Sequence, residues 1–166
     1  HVGLRETFQI GHIEVHPADD KVAFVAALGR LWGHNPDRGV FRTRDGGQTW
    51  QKVLYLDEKT GCIDVRIDPK DPSVVHACMY ERMRDGFDSN DPAVRFGQKS
   101  GYFRSTDGGD TWSRIDSGLP TVPWGRSGLT VHRDDPRILY MTIETERSGW
   151  ATGDERTRAN AAPQGG

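Results

Sequence analysis

The sequence has no apolar stretch that approaches the roughly 18–20 residues of a membrane-crossing helix, and no 3.6-residue periodicity of useful length. It has no block of Lys or Arg, and its net charge is −2. An electrostatic footprint for nucleic acid or an anionic membrane is therefore missing, and neither nucleic-acid binding nor membrane insertion is expected. Cysteine is scarce: Cys62 and Cys78 stand alone, at no zinc or redox spacing. On two paired strands they would lie nearly opposite each other. A bridge directly across strands is geometrically demanding, so two small buried thiols are the favoured reading and a disulfide the alternative. No phosphate loop, Gly-x-Ser-x-Gly or His-Glu-x-x-His motif is present. Hydrophobic residues make up only 34%, which is low for a fully enclosed core. The chain starts at His1 without Met or a signal-peptide pattern, which reads as a mature or excised segment.

What is present is glycine, tryptophan and repetition. "TRDGGQTW" (43–50) returns as "STDGGDTW" (105–112), 62 positions later. Three further segments align: "HIEVHPADDKVAFVAAL" from His12, "CIDVRIDPKDPSVVHACMY" from Cys62 and "GLTVHRDDPRILYMTI" from Gly128. Each is an alternating apolar run, an Asp/Pro-rich turn and a second β-branched run, which predicts two antiparallel strands. Ile13 and Val15, then Ile63, Val65 and Ile67, then Leu129 and Val131 are expected on one face of each first strand. "GVFRT" and "GYFRS" supply third strands that run into the octapeptide, and "TWQKVLYL" and "TWSRI" leave it as fourth strands. Repeated four-stranded units predict an all-β chain of β-propeller blades. About two and a half blades are expected, too few to close a ring, so the chain reads as part of a larger propeller.

The expected boundaries are residues 1–10 for the end of a preceding blade and its connection, then 11–61 and 62–126 for two complete blades. Residues 127–150 read as the first half of a further blade, and 151–166 as a polar loop or tail.

Both octapeptides fit Ser/Thr-x-Asp-x-Gly-x-Thr-Trp and resemble the Asp-box of BNR-type propellers. The resemblance covers roughly residues 1–150. The blades are similar to those of sortilin/VPS10-type propellers, photosystem II stability factors and xyloglucanase-like glycosidases. The resemblance implies an extracytoplasmic location, with Asp-boxes placed away from any active site. The residue types give the octapeptide a structural role as well. Gly47 and Gly109 supply turn freedom, and Asp45 and Asp107 accept nearby backbone N–H groups. Thr43, Ser105, Thr49 and Thr111 add hydroxyls, and Trp50 and Trp112 fill space between blades.

In an up-and-down blade, the one–two and three–four turns share one face of the ring, and the longer two–three and four–one connections share the other. Function concentrates in irregular loops on rigid scaffolds. The candidate ligand contacts are therefore Trp32, His34, Arg38, Arg82, Arg84, Asp85, Phe87, Asp88, Trp124, Arg126, Arg147 and Trp150. The bland alternative makes these inter-blade plugs and loop ion pairs. Glycoside hydrolysis needs two carboxylates about 5–5.5 or about 6.5–9.5 Å apart. Asp57, Glu58, Asp64, Asp85, Asp88 and Asp91 are available without a spacing that fixes a pair. Asp64 is the weak catalytic candidate, against an ion pair with Arg66. Calcium at "DGFDSNDP" (85–92) is disfavoured because the twelfth position from Asp88 is Lys99 rather than Glu. The scattered histidines do not form a zinc site, so no cofactor is expected. The leading expectation is a non-catalytic platform for protein, peptide or carbohydrate, with the remaining blades as partners. Part of a xyloglucanase-like glycoside hydrolase is the alternative, and a purely structural set of blades the third reading.

Overall fold

The computed structural model describes residues 2–84 and 94–146. After a 3-10 turn at Arg5–Thr7 come β1 (Gln9–Val15), β2 (Ala23–Gly29), β3 (Gly39–Thr43) and β4 (Gln51–Leu54), hydrogen-bonded in that order. A second sheet repeats the order with β5 (Thr60–Ile67), β6 (Val75–Glu81), β7 (Gly101–Ser105) and β8 (Ser113–Ile115). A third unit contributes the pair β9 (Trp124–Val131) and β10 (Leu139–Thr145). All neighbouring strands run antiparallel. The chain is thus two four-stranded propeller blades and a two-stranded third unit.

The turn between the first two strands is the same in all three units. The Val22, Val74 and Ile138 amides donate to the carbonyls of Asp19, Asp71 and Asp135. The carboxylates of those aspartates accept from the amides of Lys21, Ser73 and Arg137 at 3.0, 3.1 and 3.2 Å. Aspartate two residues before an amide is the side chain that closes such a turn locally. His16 and His132, equivalent in sequence, each accept an amide at the entrance to this turn, from Ala18 and Asp135.

The core lies between blades. Phe24, Ala26, Val40 and Leu54 of the first blade meet Cys62, Val65, Ile67, Val75, Ala77, Met79 and Phe103 of the second, with Trp112 at the margin. A second layer joins Cys78 and Tyr102 to Trp124 and Leu129 of the third unit. Val25, Ala27 and Phe41, on the other side of the first blade, are covered by Leu4 and Trp50. Inner strands approach so closely that a Cβ on Gly11 would stand 2.2 Å from the Ile63 carbonyl oxygen.

One expectation of shared faces fails. Cys62 pairs with Met79 and Asp64 with Cys78, so Ile63 is the extra residue of a β-bulge. The bulge sends Ile63 toward the third unit, while Val65 and Ile67 pack against the first blade. Leu129 and Val131 share a face as expected. Ile13 and Val15 also share one, but it is open, at 58% and 55% exposure. Cys62 and Cys78 are buried and free. Burial foremost pushes the Cys78 thiol up to about 12, so it behaves as a small hydrophobe.

The two inter-blade layers differ at the register position of Phe24. Phe24 pairs with Arg42 and His76 with Arg104, so His76 stands where the first blade has Phe24. His76 is buried beside Tyr102, its Nδ1 2.6 Å from the tyrosine oxygen, and its Nε2 has no partner among the described residues. Burial first, then the Arg104 charge, lowers its pKa to about 4.

Two outcomes follow. Phe24 is fully buried, so Phe24→Ala should cost about 3–5 kcal/mol in urea unfolding. A cost under 1 kcal/mol would show that the blades do not pack through it. For His76, the folded pKa lies below the unfolded value of about 6.5. Its contribution is therefore complete above about pH 6.5 and lost as pH falls toward 4. His76→Phe should flatten the unfolding midpoint across that window, and an unchanged slope would assign the window to another group.

Candidate functional site

The two faces of the blades are built differently. On one, the octapeptide turns fold onto the one–two turns: the Gly46 amide donates to the Lys21 carbonyl at 2.9 Å, and the Gly108 amide to the Ser73 carbonyl at 2.7 Å. Each turn then closes on its own aspartate. Asp45 accepts from Thr43 Oγ1 (2.8 Å), the Thr49 amide (2.8 Å) and Thr49 Oγ1 (2.6 Å). Asp107 accepts from Ser105 Oγ (2.7 Å), the Thr111 amide (2.9 Å) and Thr111 Oγ1 (2.5 Å). The Gly47 and Gly109 amides complete the ring at Thr43 and Ser105, both at 2.8 Å. Gly47 and Gly109 sit at φ 86° and 87°, a conformation that glycine adopts without strain. The hydroxyl of Thr49, then its amide, then Thr43, hold the Asp45 pKa at about 2, and the corresponding donors depress Asp107. Both oxygens of each carboxylate are bonded within the turn itself. The Trp50 indole reaches the Val2 carbonyl at 2.7 Å, and that of Trp112 the Gly109 carbonyl at 3.1 Å.

The opposite face carries the long connections. The loop from Gly29 to Arg38 is held by Asn35, whose amide donates to the Glu58 carbonyl and whose Nδ2 donates to the Glu6 carbonyl, both at 3.0 Å. Arg38 lies beneath it, 2% exposed, donating to the carbonyls of Lys59 (3.2 Å), Arg30 (3.1 Å) and Gly33 (2.9 Å). The Lys59 carbonyl also accepts the Arg82 amide, and the Gly33 amide donates to the Arg84 carbonyl. Arg82 is buried over Tyr80, its guanidinium carbon 5.8 Å from the ring centre, with Nη2 on Gln9 Oε1 at 2.7 Å. Burial foremost lowers the pKa of Arg82; Tyr80 opposes this, while the like charges of Arg84 and Arg126 add to it. Trp32 is 47% exposed.

Residues 3–159 match the family model described as sortilin, neurotensin receptor 3. The chain belongs to the Sortilin-Vps10 family. No curated protein matches the sequence, but 26 solved chains match the structure. An ancestral GH74 enzyme aligns with a TM-score of 0.57 and 18% identity, over 80% of this chain and 16% of its own. The GH74 enzyme of Niastella koreensis gives 0.52 and 18%, over 78% and 17%, and the GH74 xyloglucanase of Xanthomonas campestris 0.50 and 17%, over 86% and 22%. The Sortilin-Vps10 chain thus spans less than a quarter of each enzyme. These likenesses show the fold, a BNR-type β-propeller.

Within this Sortilin-Vps10 chain, the residues singled out from sequence separate by burial. Trp32, His34 and Arg126 are open, and Arg84 is half-buried. Arg38 and Trp124 are interior: Arg38 staples its loop, and Trp124 packs on Cys78, Tyr102 and Leu129 while donating to the Pro120 carbonyl. A long side chain in a Gly/Pro-rich loop looks exposed in sequence, and only the folded-back path of the loop buries it. Asp85, Phe87, Asp88, Asp91, Arg147, Trp150 and the 151–166 segment lie outside the described residues. Asp64 sits within β5, 8% exposed, where Oδ2 accepts the Leu129 amide at 2.9 Å and Oδ1 lies 3.1 Å from Arg66 Nε. Glu14 is 3.7 Å from the same guanidinium. Asp57 is bound by Lys99 Nζ (2.6 Å) and by the Lys59 and Thr60 amides. Among the described residues no group of three His, Cys, Asp or Glu could hold a metal ion. Sequence reading missed Tyr80, Gln9 and Asn35. The spacing of Tyr80, Arg82 and Arg84, which puts alternate residues on one side of a strand, was the available signal.

The turn carboxylates have a pH signature. Their folded pKa values lie below the unfolded value of about 3.9. Their contribution is therefore complete above about pH 4 and lost as pH falls through 2. Urea midpoints of the wild type should drop across this interval, and the Asp45→Asn/Asp107→Asn variant should show a shallower drop. An identical drop in both proteins would separate acid sensitivity from the turns.

Proposed function

We propose that this chain is a non-catalytic segment of an extracytoplasmic Asp-box propeller. In this reading it binds its ligand, a carbohydrate, on the loop face, with further blades of the propeller as its structural partners. The observation that supports this most is the contrast between faces. The octapeptide aspartates are consumed by their own turns, whereas the loop face leaves Trp32 and Arg126 open and Arg84 half-buried on a framework fixed by buried Arg38 and Asn35. Exposed tryptophan and arginine are the residue types from which binding hot spots are made. The fold alone does not choose this role, because propellers host many functions.

The second reading, part of a glycoside hydrolase, draws on the similarity to GH74 enzymes and on Asp64. Its carboxylate already serves the Leu129 amide and Arg66, which favours a strut between blades. A glycan array and a polysaccharide-hydrolysis screen on the full chain, with the Asp64→Asn variant in parallel, test both readings. Binding without turnover is the expected result. Hydrolysis that disappears in a folded Asp64→Asn variant would replace the platform with an enzyme, and absence of any glycan binding would remove the carbohydrate ligand.

A further inference from the structure

On the loop face Arg82, Arg84 and Arg126 form no ion pair with a carboxylate among the described residues, and Glu144 is the acid whose charge reaches Arg126. Tyr80, Arg82 and Arg84 alternate along the end of β6 and its extension, which places them in one row on one side. The row is tied to the Trp32 loop twice. Gly33 receives Arg38 on its carbonyl and donates its amide to the Arg84 carbonyl, while the Lys59 carbonyl takes both Arg38 Nη1 and the Arg82 amide. The Nε of Arg84 is buried and unpartnered. Arg126, on β9 of the third unit, is exposed, and its charge reaches both Tyr80 and Arg82.

Nearby carboxylates are engaged elsewhere. Asp57 holds Lys99, Glu81 accepts the Lys99 amide, and Glu144 is ion-paired to Arg95 and takes the Arg126 amide, its charge also reaching Arg126. A buried cation without an anion is costly, and planar guanidinium forks match a carboxylate in a two-point hydrogen bond. Trp32 stands one residue from the Gly33–Arg84 contact, with nearly half its surface open. An indole face beside a fork suits a ring that is apolar on one face and bears a carboxylate at its edge.

We propose that Arg82, Arg84 and Arg126, with Tyr80 below and Trp32 alongside, form a seat for the carboxylate of a uronic-acid polysaccharide. The proposal rests on the loop-face reading above and names the ligand class for it. Arg84 and Arg126 make the direct contacts. Arg82, held by Gln9 and Tyr80, supplies fixed charge from beneath. Trp32 stacks on the sugar ring.

The test is calorimetric titration of the full chain with de-esterified polygalacturonate, its fully methyl-esterified form and neutral xyloglucan. The acid polymer should bind at least tenfold more tightly than the ester, and less tightly as NaCl rises. Arg84→Gln and Arg126→Gln should each weaken it about tenfold and Arg84→Lys less, consistent with loss of a charge-assisted hydrogen bond. Trp32→Ala should weaken acid and neutral polymers alike. Thermal melts matching the wild type confirm that each variant is folded. Equal affinity for acid and ester, or indifference to the arginine variants, overturns the seat. If neutral glycans still bind through Trp32, the platform survives without it. An acidic peptide that binds through the same arginines while polygalacturonate does not would overturn the sugar assignment. Absence of binding by all three polymers removes both readings.

Discussion

The contact on which the blade stack depends is made by Arg42. Its side chain is 2% exposed, and it donates to the Gly108 carbonyl of the next blade's octapeptide turn at 2.5 Å. It also lies 2.7 Å from Asp110 Oδ1 in that turn and 2.8 Å from Gln51 Oε1 in its own blade. A buried guanidinium tolerates its position only when its donors are met, so the turn must sit where these acceptors converge. The turn reaches that place because its aspartate and hydroxyls close it before any neighbour is present. Local closure and inter-blade clamp are therefore one device. Phe24 completes it by packing on Gly109, where an added Cβ would come within 2.7 Å of the ring. Glycine is required there for space as well as for its positive φ.

The second blade repeats the device with different chemistry. Arg104 occupies the register position of Arg42 and is exposed, while His76 and Tyr102 replace Phe24 and Val40. The apolar layer between the first two blades is consequently drier than the layer facing the third unit. There a buried imidazole and phenol bond to each other and leave Nε2 unmet. Replacing a hydrocarbon pair by a polar pair weakens packing and adds a protonation equilibrium. The two interfaces of one short chain thus differ in chemistry at equivalent register positions of their middle strands.

How much of this was legible in sequence follows from how local each feature is. The octapeptide turns were fully readable, because Asp45 and Asp107 bond only to residues within four positions of themselves. The strand order was readable from the repeat of apolar runs and Asp-rich turns. The bulge at Ile63 was not, since alternation continues through it and only pairing with Met79 and Cys78 reveals the extra residue. Arg42 was hidden in the same way: nothing within "GVFRT" marks it as buried, and its acceptor Gly108 lies 66 positions away. On the loop face the residue types were legible and their burial was not. Arg38 and Trp124 turned inward because nearby carbonyls accept their donors, at Lys59, Arg30 and Gly33 for the arginine and at Pro120 for the tryptophan.

The same accounting bears on chemistry. Asp45, Asp107 and Asp57 have their oxygens drawn into amides, hydroxyls or an ammonium of the scaffold, while Asp64 holds the Leu129 amide on Oδ2 and lies against Arg66 with Oδ1. Cations on the loop face divide: Arg30, Arg95 and Lys99 lie against Glu6, Glu144 and Asp57, while Arg38, Arg82 and Arg84 have no ion pair among the described residues. Arg38 is spent on carbonyls, with Arg82 as the like charge and Asp57 as the opposite charge that reach it. The blades supply the framework, and hydrogen bonds from buried Arg38 and Asn35 to loop carbonyls fix the connections that carry these guanidinium groups.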